Sequence, residues 1–375
     1  MGKIKVMTVF GTRPEAIKMA PLIKEIEAQA EKFESVVVVT AQHREMLDQV
    51  LKTFRIEPDY DLNIMKDKQS LAEITTNILL QLEKVIVESK PDIILVHGDT
   101  TTTFAASLSA FYHQVKIGHV EAGLRTWNKY SPYPEEMNRQ MTDVLSDLYF
   151  APTEQSRDNL LKENINPAKI TITGNTVIDA LSYTIKEGYI HGSLPEINPN
   201  HKMILLTMHR RENQGEPMRE VFQAVKQVVD EKGDIEIVYP VHLNPVVQDL
   251  ANIYLGGHKR IHLINPLEVE DFHNLANQSY FIMSDSGGVQ EEAPSLGKPV
   301  LVLRDTTERP EGVKAGTLKL IGTKYEDVYT GMLELLEDDK EYQRMADAKN
   351  PYGDGQASKY ILEAIEKSFA DYNSQ

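Results

Sequence analysis

Short runs of β-branched and aliphatic residues alternate with helix-length segments along the whole chain of 375 residues. This alternation is typical of parallel sheets covered by helices on both faces, because parallel neighbouring strands need long crossover connections. About ten such runs would make one unusually large sheet, but they fit two sheets of ordinary size. The sequence therefore predicts an α/β protein with two doubly wound, Rossmann-like domains. After a first strand that ends at residue 10, the expected strands are 36–40, 92–96, 116–120, 148–151, 170–173, 203–207, 235–241, 260–264, 280–284 and 299–303.

The boundary between the two predicted domains falls near the middle of the chain. Residues 188–201 are the least regular and most polar stretch there, and the sixth expected strand ends shortly before them. We predict an N-terminal domain over residues 1–170 and a C-terminal domain over residues 171–355. A last helical pattern predicts that residues 356–375 fold back onto the first domain.

The inventory of charges and cysteines excludes several classes of protein. Lys and Arg number 40 against 56 Asp and Glu, which gives a formal net charge of −16. Such an acidic chain is poorly suited to bind nucleic acid or an anionic membrane as its main partner. The absence of cysteine excludes thiolate chemistry and suits a reducing cytoplasm. The first apolar run is too short for a signal peptide or a membrane span, so we expect a cytoplasmic protein.

Sequence patterns for common cofactors are missing. The 11 histidines are scattered, and no acidic calcium-loop spacing occurs. Neither the glycine fingerprint of dinucleotide sites nor the Walker A pattern is present. We therefore expect neither a bound metal ion nor a nicotinamide or ATP cofactor.

A basic helix start follows the first expected strand. Gly11 allows close approach of another group to the backbone, and Pro14 suits the first turn of a helix. Arg13 beside this helix start favours an anion. The alternative is an ordinary strand-to-helix turn with a surface arginine. Lys18 would project from the next turn of the helix.

Three acidic positions fall at the expected carboxyl edge of the first sheet. Asp99 and Glu121 each follow a strand, and Glu135 lies with Glu136 in the first turn of a helix. Such a cluster indicates acid/base chemistry more strongly than any one of its members does. Alternatives remain for each: Asp99 could cap a helix, Glu121 could pair with Arg125, and the two glutamates could simply favour the helix dipole.

A basic cluster follows the first strand of the second domain. His209 is followed by Arg210 and Arg211. A lone histidine is more often structural, but beside two guanidinium groups it would be held neutral or would contact phosphate.

The sharpest local signal is a strand followed by a Gly-Gly turn and a helix. The backbone N–H groups at Ser286, Gly287 and Gly288 would receive a diphosphate. One turn later, Glu291 or Glu292 could accept hydrogen bonds from ribose hydroxyls. The alternative is a well-capped surface helix.

Seven motifs of the chain together resemble those of a known family. The motifs are FGTRPEAIKMAPL, VHGDTTTT, HVEAGLRT, SPYPEEMNRQ, HRREN, YPVHLNP and SDSGGVQEEAPSLGKPVLVLRDTTERPEG. With these motifs the chain closely resembles the bacterial non-hydrolysing UDP-N-acetylglucosamine 2-epimerases over nearly its whole length. The resemblance implies a GT-B-type fold with a central cleft, and a homodimer without metal or redox cofactor.

The resemblance also implies a reaction and a set of site residues. The family interconverts UDP-N-acetylglucosamine and UDP-N-acetylmannosamine for cell-surface polysaccharide, by eliminating UDP to 2-acetamidoglucal and adding it back. By motif, the catalytic residues are Asp99, Glu121, Glu135, His209 and Lys18. The UDP contacts are Arg13, Arg211, Phe272, Ser286, Gly287, Gly288 and Glu292. Residues near an allosteric activator site are Gln42, Arg210 and His242.

Three other functions share parts of these signals. A GT-B glycosyltransferase would have the same fold and nucleotide site but needs an acceptor. A hydrolysing epimerase would release the sugar and UDP, and a non-catalytic sensor would only bind the nucleotide sugar. The three carboxylates disfavour the glycosyltransferase and the sensor.

Overall fold

The chain forms two compact units in a computed structural model that describes residues 2–40, 44–64, 66, 69–190 and 192–372. The first unit comprises residues 1–183 and 352–375, and the second comprises residues 184–351.

The first unit is built on a sheet of seven parallel strands. Its strands are β1 (Ile4–Phe10), β2 (Phe33–Val39), β3 (Tyr60–Asp61), β4 (Ile93–His97), β5 (Lys116–Val120), β6 (Leu148–Ala151) and β7 (Ile170–Ile172). Its helices are α1 (Arg13–Ala28), α2 (Arg44–Phe54), α3 (Leu71–Ser89), α4 (Thr101–Tyr112), α5 (Glu135–Leu145), α6 (Glu154–Lys162) and α7 (Thr176–Thr184).

The second unit is built on a sheet of six parallel strands. Its strands are β8 (Lys202–Thr207), β9 (Ile235–Pro240), β10 (Ile261–Ile264), β11 (Phe281–Ser284), β12 (Val300–Val302) and β13 (Leu318–Leu320). Its helices are α8 (Glu216–Glu231), α9 (Pro245–Leu255), α10 (Val269–Gln278), α11 (Gly287–Glu292), α12 (Pro310–Ala315), α13 (Tyr325–Glu337) and α14 (Asp339–Ala346). A last helix, α15 (Ala357–Tyr372), belongs to the first unit.

Both sheets have the strand order of a doubly wound fold. The first runs β3-β2-β1-β4-β5-β6-β7, and the second runs β10-β9-β8-β11-β12-β13. The order reverses beside β1 and β4 in the first sheet and beside β8 and β11 in the second. Ligands of such sheets bind outside the carboxyl ends of the strands at this switch point. The predicted fold class, two Rossmann-like α/β domains, is confirmed.

The four central strands of the second sheet bury side chains on both faces. In β8, Ile204 and Leu206 pack with helix α8 on one face, whereas Met203 and Leu205 pack on the other. All four side chains are at most 5% exposed. This two-sided burial explains why the strands appear in the sequence as continuous apolar runs rather than as an alternating pattern.

Two strands, β3 and β13, were not predicted from the sequence. They have only two and three residues and lie at sheet edges.

The compact units divide at other residues than the predicted domains. The first unit extends past residue 170 because β7 pairs with β6. It also includes most of α7, whose Asp179 accepts hydrogen bonds from the backbone N–H groups that begin α15.

None of the helices in the described part of the chain combines the length and the apolar character that a membrane crossing requires.

Candidate active site

Two loops meet at the switch point of the first sheet, and a buried carboxylate ties them together. Glu15 is 2% exposed and accepts hydrogen bonds from the backbone N–H groups of Gly11 and Thr12, at 3.1 and 2.8 Å. Thr100 Oγ1, in the loop after β4, donates to the same carboxylate at 2.6 Å. This contact fixes the helix start that carries Arg13 beside the turn that carries Asp99.

Glu121 lies at the end of β5 with its charge compensated. Its backbone is in the left-handed region, at φ 65°, which is unusual for a residue with a side chain. Lys18 Nζ donates to its carboxylate, Asn175 Nδ2 donates at 2.9 Å, and His97 Nε2 lies 3.5 Å away. Burial by itself raises the pKa of Glu121, but Lys18 and His97 outweigh burial and hold that pKa well below the usual value for a glutamate. Glu121 is therefore ionised at neutral pH.

Asp99 lies in the turn next to Glu121. A side chain placed on Gly98 would approach Glu121 Oε1 to 3.9 Å, so the turn borders the Glu121 carboxylate. Two residues of α5 hold Asp99: Arg139 pairs with its carboxylate, and Asn138 Nδ2 donates to its carbonyl oxygen at 3.0 Å. Helix α5 begins with Glu135, so the switch point brings together the elements that carry all three predicted catalytic carboxylates.

The two glutamates at the start of α5 have different environments. Glu136 is fully buried and accepts from the backbone N–H groups of Thr126 and Trp127, both at 3.0 Å. Burial by itself raises the pKa of Glu136, but these hydrogen bonds lower it below its usual value. Glu135 is partly exposed, and its side chain makes no hydrogen bond or ion pair within the described residues. Glu136 therefore shapes the loop, and Glu135 is the one available to a ligand.

A buried network that the sequence interpretation missed supports this edge of the sheet. Asp143 accepts from His119 Nδ1 and Arg125 Nη2, both at 2.6 Å. His119 Nε2 also lies 2.7 Å from the carbonyl oxygen of Gly98. The network links the turn before Asp99 to the loop after Glu121. The sequence offered one signal of this network, a histidine inside an apolar strand.

Two structural alternatives from the sequence are wrong. The N-cap of α4 is Thr100, whose side chain accepts from Thr103 N, so Asp99 does not cap that helix. Arg125 pairs with Asp143 and Glu163, whereas Glu121 pairs with Lys18.

At the switch point of the second sheet, Asp285 organises the basic cluster. It is completely buried and accepts from the backbone N–H of His209 at 3.0 Å and of Arg210 at 2.9 Å. Asn213 Nδ2 donates to the same carboxylate at 3.0 Å. Burial by itself raises the pKa of Asp285, but the hydrogen bonds from His209 and Arg210 lower it below its usual value. The sequence interpretation did not assign a role to Asp285.

The imidazole of His209 is oriented from two sides. Its Nδ1 lies 3.3 Å from Asp285 Oδ1, and its ring stacks on His242 with centroids 5.6 Å apart. The side chain is 43% exposed, so the other ring nitrogen is accessible. Arg211 is exposed and forms no ion pair with the part of the chain described. An accessible imidazole and guanidinium thus lie together.

The glycines that begin α11 leave space that the protein itself does not use. A side chain added at Gly287 or Gly288 would meet its nearest protein atom at 3.6 Å, an ordinary contact, and neither glycine has a positive φ. By contrast, a side chain at Gly11 would lie 2.0 Å from Thr40 Oγ1. Packing therefore demands a glycine at residue 11 but not at 287 or 288, whose N–H groups begin the helix with no acceptor among the described residues.

The next turn separates the roles of two more glutamates. Glu291 is 4% exposed and pairs with Arg309. Glu292 is partly buried beside His273, whose Nε2 lies 3.4 Å from its carboxylate. Phe272 is partly buried and packs on the apolar core of this face. Glu291 is thus occupied in a structural pair, and Glu292 is the better candidate for binding.

Two of the three predicted allosteric residues lie beside His209 and Asp285. The third, Gln42, lies outside the described residues. Arg210 donates from Nε to the Asp285 carbonyl oxygen at 2.9 Å, and His242 stacks on His209. Both adjoin the candidate active site.

The described residues contain no group of three or more side chains suited to hold a metal ion. His258 and His262 have the three-residue separation seen in metal-binding helices, but His262 lies in strand β10. The two imidazoles bind different carboxylates, Asp230 and Glu236.

Comparison with known proteins identifies the family. The sequence model of the family described as UDP-N-acetylglucosamine 2-epimerase matches residues 24–366. A UDP-N-acetylglucosamine 2-epimerase of Bacillus subtilis is 63% identical over 365 residues, which are 97% of this chain and 96% of the relative. The crystal structure of the UDP-GlcNAc 2-epimerase from Neisseria meningitidis bound to UDP-GlcNAc has 53% identity and a TM-score of 0.87, covering 97% of this chain and 100% of that one.

The fold alone is shared more widely. A lipopolysaccharide outer core galactosyltransferase in its apo form is 11% identical with a TM-score of 0.59, covering 97% of this chain and 100% of that one. This likeness agrees with the GT-B type that the resemblance implied. Because the family model and a relative of 63% identity each cover most of its length, the chain belongs to the UDP-N-acetylglucosamine 2-epimerase family.

Proposed function

We propose that this chain interconverts UDP-N-acetylglucosamine and UDP-N-acetylmannosamine by eliminating UDP and adding it back, without net hydrolysis. The observation that carries the proposal is the ionised Glu121 held between Lys18 and His97 at a switch point that also positions Asp99. The route would serve the supply of cell-surface polysaccharide precursors in the cytoplasm.

Elimination is the step that the carboxylates would assist. The C2 proton of the sugar is not beside a carbonyl group, so its direct removal would be prohibitively slow. When the C2–H and C1–O bonds break, the proton goes to a base and the C2–H electron pair forms the C1–C2 double bond. The C1–O electron pair leaves with the UDP oxygen, which gives 2-acetamidoglucal. Re-addition of UDP with a proton delivered to the opposite face of C2 gives the epimer. Glu121, Asp99 and Glu135 are our candidates for these proton transfers.

Cations would act on the sugar nucleotide as negative charge develops. Lys18 keeps Glu121 ionised, and His209, oriented by Asp285, presents its accessible ring nitrogen to the substrate. Arg13 and Arg211 would stabilise the departing diphosphate, which carries more charge after C1–O cleavage than before it.

The second unit would bind UDP at the start of α11. Ser286, Gly287 and Gly288 would receive the diphosphate, because the N–H groups of the two glycines begin the helix and leave room for close approach. The Ser286 N–H already donates to Ser284 Oγ, so Ser286 would contribute its hydroxyl. Glu292 would accept hydrogen bonds from the ribose hydroxyls, and Phe272 would pack against uracil.

Incubation with UDP-N-acetylglucosamine alone in D2O tests the function. We expect proton NMR to detect UDP-N-acetylmannosamine with deuterium at C2, at a constant total of UDP-sugars after equilibration. Accumulation of free N-acetylmannosamine with UDP would indicate a hydrolysing enzyme. A protein that binds the substrate but leaves the C2 proton unexchanged would contradict epimerisation, as would product without deuterium.

A glycine substitution tests the diphosphate site. Gly288→Ala should weaken UDP binding by about tenfold or more, because a methyl group would occupy the space assigned to the phosphate. It should leave the melting temperature nearly unchanged, since the nearest protein atom is 3.6 Å from the added carbon. Gly11→Ala is the matched contrast and should lose stability by about 1–3 kcal/mol through overpacking against Thr40. Calorimetric titration measures the UDP affinity, and thermal unfolding measures the stability. A normal UDP affinity in Gly288→Ala would show that the phosphate does not bind at this turn.

The ribose assignment predicts a binding effect without a separate effect on chemistry. Glu292→Gln should weaken UDP and substrate binding in parallel, by about 1.5–3 kcal/mol for a charge-assisted hydrogen bond. Ser295→Ala, on an exposed side chain nearby, is the control. Calorimetric titration gives the UDP affinity, and steady-state rates give kcat and KM. An unchanged UDP affinity would show that Glu292 does not contact the nucleotide.

We further propose a homodimer formed through three neighbouring helices of the first unit. Helices α3, α4 and α5 pack side by side, and each exposes large apolar side chains, which is a feature of association surfaces. The most exposed are Leu80 and Val87 of α3, Phe111 and Tyr112 of α4, and Val144 of α5. We also propose an allosteric activator site near Arg210 and His242. We expect neither nucleic acid nor a membrane to be a binding partner.

A further inference from the structure

A cavity of about 430 Å³ lies in the second unit, at the amino ends of the strands. Its wall includes Lys202, which begins β8, Tyr280, which precedes β11, and Lys298, which precedes β12. His209 and Ser286 follow the opposite ends of the same strands. Because β8 has six residues, the two edges are separated by roughly 20 Å at about 3.3 Å per residue. The cavity is therefore distinct from the candidate nucleotide site, and its volume falls in the range of small-molecule pockets.

The two lysines of the cavity, Lys202 and Lys298, form no ion pair with any residue that the structure describes. Lys202 Nζ lies 4.4 Å from the centre of the Tyr280 ring and donates only a long hydrogen bond, 3.4 Å, to the carbonyl oxygen of Leu336. Lys298 is partly buried, and burial lowers its pKa with no opposing charge to restore it. Half-burying a cation without an anion is unfavourable.

Two tyrosine rings form another part of the cavity wall. Tyr280 and Tyr342 stack with centroids 4.2 Å apart, and the Tyr342 hydroxyl donates to the Tyr280 carbonyl oxygen at 2.9 Å. Both rings are therefore held in place before any ligand arrives. The carboxylate behind His201, Glu236, already accepts from His201 and His262. The local charge that faces the cavity is thus positive in a chain whose net charge is −16.

We propose that this cavity binds a small phosphorylated molecule, whose phosphate would lie between Lys202 and Lys298 and whose remaining atoms would contact the tyrosine pair. An anion supplies the counter-charge that both lysines lack, and a phosphate offers several acceptor oxygens for their N–H donors. Because Tyr342 and the Lys202 ammonium both cover the Tyr280 ring, the organic part of the ligand would contact the Tyr342 side of the pair, where an aromatic ring suits a sugar or a planar group. The site is independent of the proposed epimerase reaction, because none of its residues belongs to the candidate active site.

Residue-resolved lysine labelling tests the site in the unmodified protein. The protein is treated with an amine-acylating reagent at constant ionic strength, with and without inorganic pyrophosphate, and the modified lysines are quantified by mass spectrometry. We expect pyrophosphate to protect Lys202 and Lys298 selectively, while Lys226 on α8, whose side chain is 45% exposed, reacts equally in both samples. Equal labelling of Lys298 with and without pyrophosphate up to millimolar concentrations would overturn the proposal.

Calorimetric titration of variants is a second test of the phosphate site. With UDP saturating the nucleotide site, pyrophosphate should still bind, and Lys298→Met should weaken that binding by about tenfold or more. Methionine retains the apolar stem and removes the charge, so a merely packing role would leave pyrophosphate affinity unchanged. Lys226→Met is the matched control and should bind as the parent does. Equal affinity in Lys298→Met and the parent would contradict the site.

Different phosphates then identify what the cavity recognises. Inorganic phosphate, pyrophosphate and glucose 6-phosphate are compared by the same protection of Lys298. Stronger protection by the sugar phosphate would show that the tyrosine pair contacts the organic part, and equal protection would assign the site to phosphate alone. Protection by none of the three would refute the proposal, and since the D2O experiment does not involve this cavity, that failure leaves the epimerase assignment unaffected.

Discussion

Replacing Glu121 with glutamine is expected to lower the rate of epimerisation by about two to four orders of magnitude, with UDP affinity changed by less than about twofold. Glutamine is nearly isosteric and can still accept hydrogen bonds from Lys18 and Asn175, but it cannot exchange a proton with C2. Steady-state rates measured by NMR, beside calorimetric titration of UDP, separate the two quantities.

A matched control comes from Glu154, an exposed glutamate in the first turn of α6. Glu154→Gln removes the same charge from the first unit and should keep the full rate. If Glu121→Gln lost UDP affinity in proportion to its rate, Glu121 would act on binding through the Lys18 pair and our assignment of the acid/base group would be wrong.

Replacing Asp143 with asparagine should lower the free energy of unfolding of the first unit by about 3–5 kcal/mol at neutral pH. The substitution leaves Arg125 and His119 buried without the carboxylate that both contact at 2.6 Å. The turn before Asp99 depends on the same network through the 2.7 Å contact between His119 and Gly98, so activity should fall as well. Urea unfolding followed by circular dichroism measures the loss.

The pH dependence of this loss identifies its cause. Burial by itself raises the pKa of Asp143, but His119 and Arg125 lower it below the ordinary value of 3.8. A carboxylate with a lowered folded pKa stabilises the protein fully above its unfolded pKa, and this contribution is lost as the pH falls through the folded pKa. The difference between the parent and Asp143→Asn should therefore be largest at neutral pH and shrink in acid. Asp158→Asn, at an exposed ion pair, should show little difference at any pH, and an equal loss for Asp143→Asn in acid would exclude charge as its origin.

Several of the motif residues could be found in the sequence because they follow an apolar strand. In a parallel sheet the carboxyl ends of strands share one edge, so Asp99, Glu121 and His209 had to fall at such edges wherever the strands were recognised. The edge strands β3 and β13 escaped recognition since two or three residues show no periodicity.

Distinguishing neighbouring residues of the same type required the structure. Glu135 and Glu136 are equivalent in the sequence, but the helix turns Glu136 onto the backbone of Thr126 and Trp127 and leaves Glu135 available. The same holds for Glu291, which pairs with Arg309, and Glu292, which does not. A difference of one residue changes direction by about 100° on a helix, and only packing decides which direction is buried.

The sequence by itself determined the fold class, the two-domain plan and the strand ends that carry the candidate site, because these depend on local periodicity and on the order of elements along the chain. Only the tertiary structure decided that Glu121 pairs with Lys18 rather than Arg125, that Asp285 orients His209, and that Lys202 and Lys298 share a cavity. Those partners are separated by long stretches of chain. Their contacts depend on strand order and on which side chains pack into the interior, and neither is encoded in the local pattern around any one residue.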